Sequence, residues 1–68
     1  MKTIVKNDGF VSGEHRRDKI LEMIQEDGHV KVTDLSRIFR VSEVTVRQDL
    51  ERLDQQGIII REHGGAYL

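Results

Sequence analysis

Between Glu14 and Asp27 apolar residues return at helical spacing. Ile20, Leu21 and Ile24 form one stripe, with Arg16, Arg17, Asp18, Glu22 and Gln25 around it, which predicts an amphipathic helix. Ser12 or Gly13 stands where its N-cap belongs, and Gly28 supplies a left-handed stop. The period then changes. His29-Val30-Lys31-Val32 puts two valines on one side and predicts a very short strand. Thr33 follows as the cap of a second helix, Asp34 to about Phe39, with Leu35, Ile38 and Phe39 facing inward and Asp34 placed to suit the helix dipole. After Ser42, another capping residue, Val46, Leu50 and Leu53 mark the buried face of a third helix. That helix runs from about Glu43 to Gln55 or Gln56 and stops at Gly57. Ile58 to Glu62 is strongly β-prone, His63-Gly64-Gly65 turns the chain, and Ala66-Tyr67-Leu68 returns as a second strand.

The predicted order is helix, short strand, helix, helix, strand, strand. It describes a mainly α domain with a small antiparallel β wing, a winged helix-turn-helix spanning residues 14–68. With Val30–Val32 as a third strand, the sheet rests on helices one and three. Fourteen side chains are expected in the core: Ile20, Leu21, Ile24, Val30, Val32, Leu35, Ile38, Phe39, Val41, Val46, Leu50, Leu53, Ile58 and Ile60. Arg40-Val41-Ser42 must reverse the chain without a glycine, so Arg40 is expected to hold a strained backbone at a cost of ~1–3 kcal/mol. Residues 1–13 show no helical pattern and read as a flexible arm. Within it Thr3-Ile4-Val5 and Phe10-Val11 flank the turn-like Asn7-Asp8-Gly9 as in a frayed hairpin, but a hairpin of that size is unstable alone; Lys2 and Lys6 either brush phosphates or, the favoured reading, belong to a disordered terminus.

The third helix has a front as well as a back. Thr45, Arg47 and Gln48 lie off the apolar face near its amino end, with hydrogen-bonding tips pointing outward. A short helix anchored behind and polar in front is what entry into a DNA major groove requires, although a solvated amphipathic helix in a small bundle has the same pattern. Charge qualifies the picture. Charged residues make up 34% of the 68, yet the formal net charge is −1, which argues against a polycation that holds nucleic acid by charge alone. Any DNA contact must come from segregated charge. Residues 37–47 carry Arg37, Arg40 and Arg47 against Glu43, whereas residues 22–27 carry Glu22, Glu26 and Asp27 with no base.

The chain has no cysteine, which excludes a disulfide framework and thiolate metal sites and fits a reducing, cytoplasmic setting. It has no apolar run of membrane-spanning length, so no membrane partner is expected. His15, His29 and His63 lack ligand spacing for zinc. No nucleotide fingerprint or nucleophile–base pairing is present, so neither an enzyme nor a cofactor is expected.

Thr45, Arg47, Gln48 and Glu43 are the candidates for reading bases. Arg47 is a base reader, a phosphate clamp or a solvated charge; Glu43 accepts from a cytosine amino group or only balances the dipole. Val44 touches a thymine methyl or packs within the domain. Ser42, Arg37 and Arg40 are candidates for the groove edge and backbone, which position without specifying. In the wing, Arg61, His63 and Gly64 are placed for a phosphate or the minor groove, and tight-turn geometry is the simpler account of Gly64 and Gly65. Asp49 would repel phosphate and is expected to pair with Arg52 or a basic residue of the first helix. Ser36 is expected to do no more than permit close helix contact.

The run from Leu35 through Leu50 (LSRIFRVSEVTVRQDL), followed by Leu53, Gly57 and Arg61-Glu62-His63-Gly64-Gly65-Ala66, resembles the N-terminal DNA-binding domain of DeoR-type bacterial transcriptional regulators. The resemblance covers roughly residues 14–66, and Arg16-Arg17 and Ile20 agree with it. It implies sequence-specific binding to a double-stranded DNA operator and repression of a carbohydrate-utilisation operon. It also implies relief by a phosphorylated sugar bound to a C-terminal domain absent from this sequence, and a homo-oligomeric full-length protein. Many members carry arginine where this chain has Gln48, which changes the base expected there: glutamine suits adenine, arginine guanine. The competing class is a winged helix that uses the same face for a protein partner or for self-association, without specific DNA binding.

Overall fold

The computed structural model describes residues 12–68; the arm, its hairpin and Lys2 and Lys6 lie outside them, apart from Ser12 and Gly13. Three helices and three short strands follow in the order α1 (Gly13–Asp27), β1 (His29–Lys31), α2 (Val32–Phe39), α3 (Glu43–Gln55), β2 (Ile60–Glu62) and β3 (Gly65–Tyr67). Gly13 thus opens α1 instead of closing the arm. Ser12 is its cap, with Oγ accepting from the His15 N–H at 3.1 Å. At the other end Gly28, at φ 89°, donates its N–H to the Ile24 carbonyl at 2.7 Å.

The sheet is antiparallel in the order β1-β3-β2, so the last strand is the central one. Val30 pairs with Ala66 across one ladder and Arg61 with Ala66 across the other. Helix α1 packs on β1, α3 on β2, and α2 against both α3 and β1. Ile20, Ile24, Val30, Val32, Leu35, Val46, Leu50, Leu53, Ile59 and Ala66 make the buried core, with Leu21, Met23, Phe39 and Val41 packed at its edge. This is a winged helix-turn-helix.

Several expectations are corrected. Val32 belongs to α2, not to the strand, and Thr33 is not the cap: Lys31 occupies that position without a side-chain hydrogen bond. The Val32 N–H, one of the donors a helix start leaves unsatisfied, is taken instead by the Gly64 carbonyl of the wing at 2.8 Å. A tertiary contact replaces the local cap. Ile38 is 56% exposed instead of inward, because the inward face of α2 is the Val32-Leu35-Phe39 line and Ile38 stands about 100° around the helix from Phe39. In the isoleucine run the middle residue is the core one: Ile59 is 3% exposed, whereas Ile58 and Ile60 are open to solvent. Ala66, absent from the expected core, is fully buried on the central strand of the sheet.

Gly65 also differs from its expected part. The hairpin turn itself is His63–Gly64, with Gly64 at φ 83°, and Gly65 is the first residue of β3. A Cβ on Gly65 would lie 2.2 Å from the Val30 carbonyl oxygen, so close backbone approach to β1 requires glycine there.

Candidate nucleic-acid interface

The turn between α2 and α3 aims the candidate helix. Arg40 takes up a left-handed backbone (φ 57°, ψ 45°), the only described residue other than glycine to do so. Its N–H and that of Val41 both donate to the Ser36 carbonyl, and Ser36 Oγ donates to the Val41 carbonyl at 2.6 Å. Ser36 is therefore a tie across the turn, not merely a small residue at a helix contact. The signal was its position one turn before a forced reversal.

Ser42 then caps α3. Its Oγ accepts from the Thr45 N–H at 3.1 Å and donates to Thr45 Oγ1 at 3.0 Å, while Glu43 sits in the first turn. Behind, Val46, Asp49, Leu50 and Leu53 are buried. Asp49 is 3% exposed and is held from α1. The Arg16 guanidinium bonds it through Nε and, at 3.1 Å, through Nη2, and Arg17 Nη1 reaches it at 3.2 Å. Of the two expected partners, the first helix supplies the pair. Arg16 was expected on the polar surround of α1 but is 8% exposed. It lies one turn before Ile20 on the line Arg16-Ile20-Ile24, and Asp49 interrupts the apolar set Val46-Leu50-Leu53. Charge on two apolar faces was the legible sign of a buried ion pair. The pair joins α1 to α3 on the same face of α3 that buries Val46, Leu50 and Leu53.

In front, Glu43, Val44, Arg47 and Gln48 are exposed and Thr45 is half-buried. Arg47 Nη2 bonds Glu43 Oε1 at 3.1 Å along the same helix. Arg37 makes a similar exposed pair with Asp34 at 3.0 Å. Ser42, Arg37 and Arg40 gather around the turn at the leading end of α3. Arg61, His63 and Gly64 are brought together by the β2–β3 hairpin, all exposed, as a separate group. The site is thus a polar helix front flanked by basic residues, with a wing as a second element.

Such a capped, outward-facing second helix behind a tied turn defines the helix-turn-helix class. The DeoR-like helix-turn-helix domain family matches residues 16–68, and the chain belongs to that family. It is 49% identical over 51 residues to a protein of Escherichia coli (strain K12) assigned as a galactitol utilization operon repressor, covering 75% of this chain and 46% of the relative. It is 41% identical over 56 residues to the HTH-type transcriptional repressor CsqR of Escherichia coli (strain K12), covering 82% and 22%. It is 42% identical over 53 residues to the glycerol-3-phosphate regulon repressor of the same strain, covering 78% and 21%. The chain therefore spans less than half the length of these relatives. No solved structure matches it at a significant level.

Proposed function

We propose that this chain binds double-stranded DNA in a sequence-specific manner as the reading head of a transcriptional repressor. The observation that carries the reading is the two-sided construction of α3: Val46, Asp49, Leu50 and Leu53 are buried behind, while Glu43, Arg47 and Gln48 present hydrogen-bonding groups in front. In this reading α3 enters the major groove, where Arg47, Gln48, Thr45 and Glu43 face base edges. Ser42, Arg37 and Arg40 hold the flanking backbone, and the Arg61–Gly64 end of the wing touches backbone or minor groove. Near-neutral net charge makes the contact local instead of general.

For the longer protein, repression of a carbohydrate-utilisation operon is supported by relatives named for galactitol utilization and for a glycerol-3-phosphate regulon. A phosphorylated sugar bound by another domain of a homo-oligomer would relieve it, in the cytoplasm. Among the described residues, no helix is long and apolar enough to cross a membrane.

The test is selection from a randomised duplex pool with the 68-residue chain, followed as salt is raised. Enrichment of one motif that persists at moderate salt is the expected result. Loss of all retention at modest salt indicates charge-only contact, and no retention at any salt indicates a protein-binding module; either refutes the proposal.

A further inference from the structure

On α3 the outermost line is not the arginine. At ~3.6 residues per turn, Val44 and Gln48 stand about 40° apart around the axis, roughly opposite the buried set Val46, Asp49, Leu50 and Leu53. Arg47 lies to one side, joined to Glu43, and Thr45 to the other, joined to Ser42. Val44 is 60% exposed, a branched apolar side chain in the leading turn with most of its surface in water.

We propose that Val44 and Gln48 together select a DNA site containing a thymine and an adenine within two base pairs of each other, Val44 packing on the thymine 5-methyl and Gln48 bonding the adenine edge. This rests on the DNA-binding reading above and deepens it. The thymine methyl is the apolar group a major groove offers, and adenine N6 and N7 match a side-chain amide in two bonds. Spacing fits the pairing. Four residues advance ~6 Å along a helix, and successive base pairs are ~3.4 Å apart, so the two side chains address pairs about two steps from one another. Arg47 then serves the flank of the site and Val44, an aliphatic residue, carries sequence information.

The experiment begins with the duplex that the wild-type chain enriches most from a randomised pool. It is rebuilt with deoxyuridine in place of each thymine in turn, which removes only the methyl group. One replacement is expected to weaken wild-type binding about fourfold, the worth of one buried methyl. Val44→Ala is expected to bind the thymine duplex less tightly and to show no difference between thymine and deoxyuridine. Gln48→Ala keeps that difference and loses the preference for adenine. Both side chains are exposed, so circular dichroism of the variants should match wild type. Indifference of wild type to every deoxyuridine, an equal loss in Val44→Ala, or a motif lacking the paired thymine and adenine overturns the inference while leaving DNA binding standing. Failure to enrich any duplex overturns the DNA-binding reading and this inference with it.

Discussion

Replacing Asp49 by alanine removes the carboxylate that two guanidinium groups of α1 share. Arg17 is the more exposed of the two and can turn toward solvent; Arg16, with its side chain only 10% exposed, cannot do so without opening the contact between α1 and α3. Removing one partner of a buried ion pair costs about 3–5 kcal/mol, and the escape of Arg17 places this case near the lower end. A chain of 68 residues has roughly 3–10 kcal/mol of stability to lose. At about 4–8 °C per kcal/mol for a domain of this size, Asp49→Ala should lower Tm by ~12 °C or more. Thermal and urea unfolding followed by far-UV circular dichroism measures this. Arg16→Met should cost less, because Arg17 still faces Asp49. The double variant Arg16→Met, Asp49→Leu removes the buried pair and leaves only Arg17, which can turn toward solvent, and apolar replacements of buried pairs are often neutral, so it should return to within about 1 kcal/mol of wild type. An Asp49→Ala protein within ~1 kcal/mol of wild type would refute the view that this pair fastens α3.

Gly65→Ala should destabilise by about 1–3 kcal/mol or more, since its Cβ meets backbone and not a movable side chain; urea unfolding checks it. Ser36→Ala should cost ~0.5–1.5 kcal/mol through the lost bond to the Val41 carbonyl, read as a fall in Tm. Arg47→Ala should weaken binding to the selected duplex by ~1–3 kcal/mol if it reads a base, whereas Arg37→Ala should weaken all sequences alike and reduce the salt slope by about 1; titrations at several salt concentrations separate the two. Glu43→Gln should raise affinity for random-sequence duplex at low salt, because it removes the carboxylate that faces Arg47 at 3.1 Å.

What the sequence by itself determined is what short-range chemistry decides. Helical periodicity located α1 and α3, and the hydroxyls of Ser12 and Ser42 and the glycines at 28 and 57 marked ends that the structure keeps within a residue or two. The left-handed Arg40 was legible because three residues must reverse the chain without a glycine. The outward positions of Glu43, Arg47 and Gln48 followed from the phase of Val46, Leu50 and Leu53. Tertiary structure decided the rest, wherever two local arrangements were nearly equivalent. Three successive isoleucines contain no polar residue to set their phase, so only packing into the core could choose Ile59 over its neighbours. The start of α2 depended on a carbonyl thirty-two residues away, since Gly64 satisfies the Val32 N–H that a local side chain would otherwise have capped. Asp49 offered a charge on an apolar face, but its partner was fixed only when α1 crossed α3 and brought Arg16 and Arg17 within bonding distance. Local signals are carried by residues a turn apart, and each of these choices is made by groups that meet only after the chain has folded.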